Sequence, residues 1–328
     1  MSSLPLWFWQ LPKLSWLALA GNDFSPAESD LPCTPSQPER SDEKVAVHNI
    51  DWTSLDVMEK LGEGASGVIY KAKWLHSNTY SDRNQEEHVA VKLFKGGKTS
   101  DGLPEDEMKA SEAAGSHTSS LKVLGRVVNA PGNQLGLVMQ LISKEYTNLG
   151  GPPSFESVTR DTYESGKVFS IEVILRILSG IASVCSHLHS IGITHGDVYA
   201  HNILINSEGE PLLGDFGAAS IHSKSLTFTE SLQDGDSCNK ISAAMERFEV
   251  RAFGCLIDDL ITRVADNTVD KSDNSSGDAS KSYSIGGIVI ASLRNLQADC
   301  YKCDPKKRPT FAHISDSLIT ISSSLTQR

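Results

Sequence analysis

The sequence predicts an α+β fold of two lobes, an antiparallel five-stranded sheet carrying one helix followed by a mainly helical lobe. Two changes of period carry that expectation. From Leu55, short β-branched and apolar runs recur, "LDVMEKLG", "GVIYKAKWL", "HVAVKLFK", "LKVLGRVV" and "LGLVMQLI", each of strand length. After "TNLGGPP" the residues Ile171, Ile174, Leu178, Ile181, Cys185 and Leu188 fall three or four apart, the spacing of a helix with one buried face. Val250, Phe253, Ile257, Leu260 and Ile261 repeat that spacing, as do Phe311, Ile314, Leu318 and Ile321.

The single helix of the first lobe is expected over residues 104 to 115. Pro104 suits its first turn, and Glu105, Asp106 and Glu107 favour the positive end of its dipole. Ahead of the sheet, residues 25 to 50 read as a linker, because "SPAESDLPCTPSQPERSDEK" is rich in Pro, Ser and charge without a hydrophobic period. A polar insertion, "ADNTVDKSDNSSGDASKSYS", separates the last two periodic blocks and carries no candidate site.

The amino terminus holds an apolar stretch, "LPLWFWQLPKLSWLALAGN". No positive charge precedes it, and Gln10, Lys13 and two prolines interrupt it, which argues against a secretory signal; it is also too short for a membrane span. Leu11, Leu14, Leu17, Leu19 and Asn22 instead fit L-x-x-L-x-x-L-x-L-x-x-N, and so resemble the last unit of a leucine-rich repeat array. One such unit cannot bury its own face, so residues 1 to 24 are expected to be a remnant repeat whose Leu and Trp side chains suit a protein partner.

Composition bounds the function. The chain has 328 residues, 39% hydrophobic and 22% charged, enough for one large domain or two lobes. With 30 Lys and Arg against 41 Asp and Glu, the net charge is −11, which argues against a broad nucleic-acid or anionic-membrane surface. The six cysteines, at 33, 185, 238, 255, 300 and 303, form no compact framework, and suit a reducing, cytoplasmic setting. Cys300 and Cys303 lack the further ligands of a zinc site.

The chemistry begins at "LGEGASGVIYKAKW", where Gly62, Gly64 and Gly67 lie between two strand signals. A helix does not follow directly, so a dinucleotide-binding turn is disfavoured. A glycine-rich hairpin lets backbone approach phosphates without a Cβ in the way. The next strand carries Lys92 after Val-Ala-Val, where an ammonium meets phosphate oxygens. Further on, "ITHGDVYAHNILINSEGEPLLGDFG" sets Asp197 five residues before Asn202, then, after an apolar hairpin, Asp215 before Phe216 and Gly217. These are hard oxygen ligands of the kind magnesium prefers, beside a carboxylate able to accept a hydroxyl proton.

Taken together, G-x-G-x-x-G-x-Ile, V-A-V-K, H-G-D-x-x-x-x-N and D-F-G occur once each and in order. The chain between residues 55 and 325 therefore resembles the protein kinase family, and "CYKCDPKKRPTF" is similar to the carboxy-terminal block of its tyrosine-kinase-like branch. The resemblance implies a first lobe over 55–139, a hinge over 140–150 and a second lobe over 151–325. It further implies ATP bound by Leu61, Gly62, Gly64, Gly67, Ile69, Ala90 and Lys92, with Met139, Gln140 and Ile142 at the gatekeeper and hinge. Asp197 would be the catalytic base and Asn202 with Asp215 would hold Mg2+. Lys92 would pair with a helix glutamate, Glu107 on distance and Glu112 as the alternative. The acceptor would be a protein hydroxyl, serine or threonine.

The departures are informative. Gly196 replaces the Arg that in many kinases pairs with a phosphorylated activation loop, so activity is expected not to need that phosphorylation. Tyr199 stands where a Lys usually helps neutralise the γ-phosphate. The substrate-docking block is reduced to Ala244-Met245-Glu246, leading into a helix expected to begin near Glu249, and Arg308 is left either to pair with Glu246 or to lie exposed. Glu249 stands where the family usually has an Asp supporting the catalytic loop. Two alternatives follow: a nucleotide-binding pseudokinase or scaffold, and, on the His-Gly-Asp form, a small-molecule phosphotransferase.

Overall fold

The structure, a computed structural model, describes residues 6–17, 48–77, 84–97, 102–158, 160–222, 237–265 and 285–326. The expected linker's residues 25 to 47 and the repeat positions Leu19 and Asn22 lie outside these. So do nearly all residues of the polar insertion and residues 223–236, which follow the Asp-Phe-Gly.

The first lobe is a sheet of six strands. They are β1 (His48–Asp51), β2 (Leu55–Glu63), β3 (Gly67–Ser77), β4 (Asn84–Phe94), β5 (Val123–Val128) and β6 (Gly136–Gln140), in the order β1-β5-β6-β4-β3-β2. Five pair antiparallel as expected, but the sheet is not purely antiparallel, because β1 joins its edge parallel to β5. "HNID" falls at the end of the segment read as linker and is too short to show alternation. Its one deeply buried apolar side chain, Ile50, packs with Val89, Val91 and Val138. Gly125 makes the pairing possible, since a Cβ there would stand 2.2 Å from the His48 carbonyl oxygen.

Strand alternation divides the sheet into two faces. Val89, Val91 and Val138 point into the sheet's own core. On the other face Phe94 and Leu137 pack against Met108 of helix α1 (Pro104–Ala113), with Met139 at the margin. Lys92, two residues from Phe94 on β4, therefore points toward α1.

The second lobe follows the short strand β7 (Thr147–Asn148) and is built on α2 (Ile171–Ser190), α3 (Ser237–Ile261), α4 (Ile285–Cys300) and α5 (Phe311–Thr326). Ser170 caps α2, accepting from the Val173 N–H at 3.3 Å. Ile174, Ile177, Leu178 and Ile181 are fully buried in a core shared with Phe253, Ile257, Phe311 and Leu318; each such side chain contributes about 1.5–3 kcal/mol. α2 is the one helix among the described residues long and apolar enough to cross a membrane, and its burial in this core accounts for that composition. α4 was not among the expected elements, although Val289, Leu293, Leu296 and Cys300 are buried on one face.

α3 corrects the reading of the docking block. The helix begins at Ser237 and passes through Ala244, Met245 and Glu246, so these residues form no loop ahead of it. Glu246 Oε1 instead accepts from the Phe311 N–H at 2.9 Å, at the start of α5. Arg308 neither pairs with Glu246 nor lies exposed. It is 2% exposed, and donates to the carbonyls of Lys302 at 3.0 Å, Arg247 at 2.8 Å and Pro12 at 2.7 Å.

Candidate active site

The glycine loop joins β2 to β3 and is closed by a Gly64 N–H to Gly67 carbonyl bond of 2.9 Å. Gly67 is required by packing, because a Cβ would stand 2.6 Å from the Leu93 carbonyl oxygen, whereas Gly62 and Gly64 have open space beside them. Open Cα hydrogens on the loop and a packed one at its base are what a backbone cradle for phosphate needs. Leu61 is exposed at the loop's edge. Ile69 faces Lys92 across the β3–β4 ladder, and Ala90 faces Met139 across β4–β6. Gln140 ends β6 with its N–H on the Lys122 carbonyl at 2.9 Å, and Ile142 follows in irregular chain.

Lys92 Nζ is ion-paired with Glu107 Oε1 of α1. Both side chains are largely buried, at 12% and 6% exposed, and the Ser66 hydroxyl of the glycine loop adds a bond to Glu107. Burial holds the Glu107 carboxyl above its ordinary value, more strongly than the Lys92 ammonium lowers it. Glu112, the alternative partner, is engaged with Arg126 of β5. α1 thus places two glutamates five residues apart on different cations.

The catalytic loop runs from β8 (Ile193–Thr194) through Gly196 and Asp197 to a 3-10 turn at Ala200–Asn202. Asn202 Nδ2 donates to the Asp197 carbonyl at 3.0 Å and to Asp197 Oδ2 at 2.8 Å. This fixes the carboxylate and leaves Asn202 Oδ1 as an acceptor. Burial raises the Asp197 pKa, with His195 and the Asn202 bond opposing, which suits a proton acceptor. The hairpin β9 (Ile203–Ile205) and β10 (Pro211–Leu213) returns the chain to Asp215. Asp215 holds φ 55°, the left-handed region, and its Oδ1 accepts from the Gly217 N–H at 3.2 Å. Strain at such a residue persists only where its surroundings impose it; here Phe216 is buried against His195, and β11 (Ser220–Ile221) pairs back to β8.

Among the described residues no group of three or more His, Cys, Asp or Glu could hold a metal ion unaided. Exposed Asp215 and the free Asn202 oxygen fit a cation that takes one or two protein oxygens and completes its shell with phosphate and water, as Mg2+ does.

Three supports hold this loop. Glu249 Oε1 accepts from the Gly196 N–H at 2.5 Å, and its Oε2 meets His189 Nε2 at 2.5 Å. Glu249 therefore braces the loop where the sequence placed an Asp-like support. His195 Nε2 meets the Gly214 carbonyl at 2.9 Å, tying the loop to the Asp-Phe-Gly. Asp161, which the motifs do not mark, accepts from the Ala200 N–H and meets His201 Nδ1 at 2.7 Å. Only a three-dimensional contact identifies it, since it lies 36 residues before Asp197 in an irregular segment. Gly196 is a glycine for a backbone reason: its φ is +82°, and a Cβ would stand 2.5 Å from the Ala218 carbonyl oxygen.

Asp215 lies within electrostatic reach of both Glu107 and Asp197, which links the Lys92–Glu107 pair to the Asp197–Asn202 clamp. The sequence profile described as protein tyrosine and serine/threonine kinase matches residues 55–318. A probable serine/threonine-protein kinase of Dictyostelium discoideum is 26% identical over 279 residues, 82% of this chain and 16% of its own length. The probable serine/threonine-protein kinase kinY of the same organism is 26% identical over 288 residues, 81% of this chain and 47% of its own. The dual specificity protein kinase pyk3, again from that organism, is 23% identical over 284 residues, 84% of this chain and 19% of its own. The chain spans less than half the length of these relatives. From its ordered motifs and the geometry that joins them, the chain belongs to the protein tyrosine and serine/threonine kinase family.

Proposed function

We propose that the chain is an ATP-dependent protein kinase that transfers the γ-phosphate of ATP to serine or threonine of a protein. The observation that carries this reading is the joint placement of the Lys92–Glu107 pair and the Asp197–Asn202 clamp beside exposed Asp215. Lys92, oriented by Glu107, binds the α- and β-phosphates, while the glycine loop covers them with backbone. Leu61, Ile69, Ala90 and Met139 enclose the adenine, and Gln140 to Ile142 meet it through backbone groups. Asp197 accepts the acceptor's hydroxyl proton as its oxygen forms the bond to the γ-phosphorus. The bond to the β–γ bridging oxygen breaks, and ADP leaves. Asn202 and Asp215 would hold Mg2+, which supplies charge neutralisation at the phosphates when bound.

The tyrosine-kinase-like branch is proposed on the "CYKCDPKKRPTF" block, and kinship to repeat-linked kinases on the leucine spacing of residues 11 to 22. A cytoplasmic setting is proposed on the thiols of Cys185, Cys255, Cys300 and Cys303, which are unpaired.

A scaffold reading is favoured by two observations. Tyr199 offers a phenol whose pKa burial pushes up, so it supplies no charge to the γ-phosphate, and α3 leaves residues 244 to 246 no docking loop. Magnesium-dependent transfer from labelled ATP to the chain itself and to casein, compared with Asp197→Ala and Lys92→Ala, separates the two. Transfer lost in both variants supports the kinase; nucleotide binding without transfer in the wild type supports the scaffold.

A further inference from the structure

The segment that precedes the kinase domain lies on the catalytic loop. Leu6–Gln10 is a 3-10 turn, and residues 11–17 continue without regular structure across the second lobe. The Leu17 N–H donates to the Gly196 carbonyl at 3.3 Å, and Trp16 Nε1 donates to the Val198 carbonyl at 3.2 Å. Asp197 stands between these two anchored residues. The Trp16 ring stacks on Tyr199, with centroids 4.2 Å apart and planes 8° from parallel. Beside it, between the catalytic loop and α3, Trp16 lines a cavity of about 10 Å³ together with Arg160, Asp161, Val198 and Leu256, the lower limit for one water. Arg308 ties the far end of the segment through the Pro12 carbonyl.

We propose that residues 11–17 occupy, within the same chain, the surface that receives the protein acceptor. That surface then selects an extended segment bearing an aromatic side chain that stacks on Tyr199. This rests on the phosphotransfer reading above and adds its acceptor class.

Three features make the segment an occupant rather than an acceptor or a wall. Its bonds go to backbone carbonyls on both sides of the base, as an extended peptide laid along the loop would make them. The one hydroxyl beside Trp16, that of Ser15, is turned back onto the Lys13 carbonyl at 3.3 Å, so it is not offered to Asp197. The aromatic anchor sits, half-buried, on the side chain two residues beyond the base, and a stacked aromatic is a common anchor of binding interfaces. Docking within one chain gives a high effective concentration, so an outside acceptor competes poorly until the segment leaves. Arg308 keeps two carbonyl partners when Pro12 departs, so release strands no bare cation.

The test uses the full chain with Trp16→Ala and Trp16→Phe. Steady-state transfer to casein is measured together with binding of a labelled peptide of residues 10–17, QLPKLSWL. Loss of a stacked anchor worth about 1.4 kcal/mol should lower the KM for casein about tenfold, leaving the KM for ATP and the thermal midpoint near wild type. Trp16→Phe, which keeps a stacking ring, should remain close to wild type. The peptide should bind the Trp16→Ala chain, inhibit competitively against casein and not against ATP, and lose this when its own Trp is Ala. A Trp16→Ala chain with lower kcat and unchanged casein KM would overturn the proposal, showing that the segment braces the loop. Failure of the peptide to bind the opened chain would overturn the docking itself. Peptide binding without transfer in any form would leave the docking standing and refute the kinase reading instead.

Discussion

Replacing Glu249 by Gln should reverse the pH dependence of a buried support of the catalytic loop. Glu249 is 3% exposed, and its two oxygens meet the Gly196 N–H and His189 Nε2. Gln is nearly isosteric: its oxygen can still accept from Gly196, but its amide can donate to His189 only when that nitrogen is unprotonated. In the wild type burial opposes the imidazolium of His189, yet the Glu249 carboxylate outweighs it and holds the pKa above 6.5. Burial likewise opposes the Glu249 carboxylate, and His189 outweighs it, holding that pKa below 4.5. Stability from the raised His189 is complete below 6.5 and is lost as pH rises through the raised value. Stability from the depressed Glu249 is present above 4.5 and is lost as pH falls through the depressed value. The pair therefore contributes most between those limits. In the Gln variant burial is the largest influence left on His189, with Arg247 adding to it and Glu246 opposing, so its pKa falls and stability drops as pH falls below the ordinary histidine range. Breaking a buried pair costs about 3 kcal/mol at the low-pH side, and the deficit shrinks by about 1.4 kcal/mol for each pH unit between 6.5 and the raised His189 pKa, above which it is constant. Urea unfolding of both chains at about pH 5.5, 7 and 8.5 measures it, and groups remote from the pair cancel in the difference. A deficit independent of pH, or one growing with pH, would refute the ion-pair account.

Burial beside protonated His189 pulls His222 down to about 4 from 6.5, so it contributes stability above 6.5 that is lost as pH falls toward 4. His222→Gln should remove up to about 3 kcal/mol of that acid sensitivity, read as a flatter unfolding profile. Gly196→Ala places a Cβ 2.5 Å from the Ala218 carbonyl oxygen, in the left-handed region, and should cost about 1–3 kcal/mol in denaturant unfolding together with much of the turnover. Glu107→Gln should lower kcat/KM for ATP about 100-fold by freeing Lys92, whereas Glu112→Gln, which loosens a pair with half-exposed Arg126, should cost under about 1 kcal/mol and spare activity. Phosphatase treatment should leave the rate of transfer unchanged, since residue 196 carries no guanidinium to bind a phosphorylated loop.

The parts of this protein that sequence conveys are those whose partners are close along the chain or repeat with a period. The Val-Ala-Val-Lys strand, the glycine hairpin and the Asp197–Asn202 spacing each encode a local geometry, and α2 declares itself through six apolar residues on one face. β1 did not, because four residues with one buried side chain cannot show a period; it is set by Gly125, 75 residues beyond Ile50. α4 is legible in its spacing of four, three and four from Val289 to Cys300, but it follows directly on a polar tract whose composition hides where the period begins. Asp161 carried no local mark, since a carboxylate that receives one backbone N–H and one imidazole looks like any surface acid until the loop folds over it.

Arg308 shows most plainly why a motif does not fix a residue's role. The block "KKRPTF" prescribes a buried cation with an acidic partner, and the chain keeps the cation while α3 turns the candidate acid toward α5. Three carbonyls replace the carboxylate, each contributing partial negative charge. Burial lowers the Arg308 pKa to about 10, so the guanidinium stays charged at neutral pH and remains a five-donor fork in need of acceptors. Two of those acceptors, the carbonyls of Lys302 and Arg247, belong to the second lobe. The third belongs to Pro12, so the same cation that would have secured a docking shelf in a motif-complete chain here grips the segment that lies along the base. What the docking block lost in sequence is thus connected, through one guanidinium, to what the amino-terminal segment does in space.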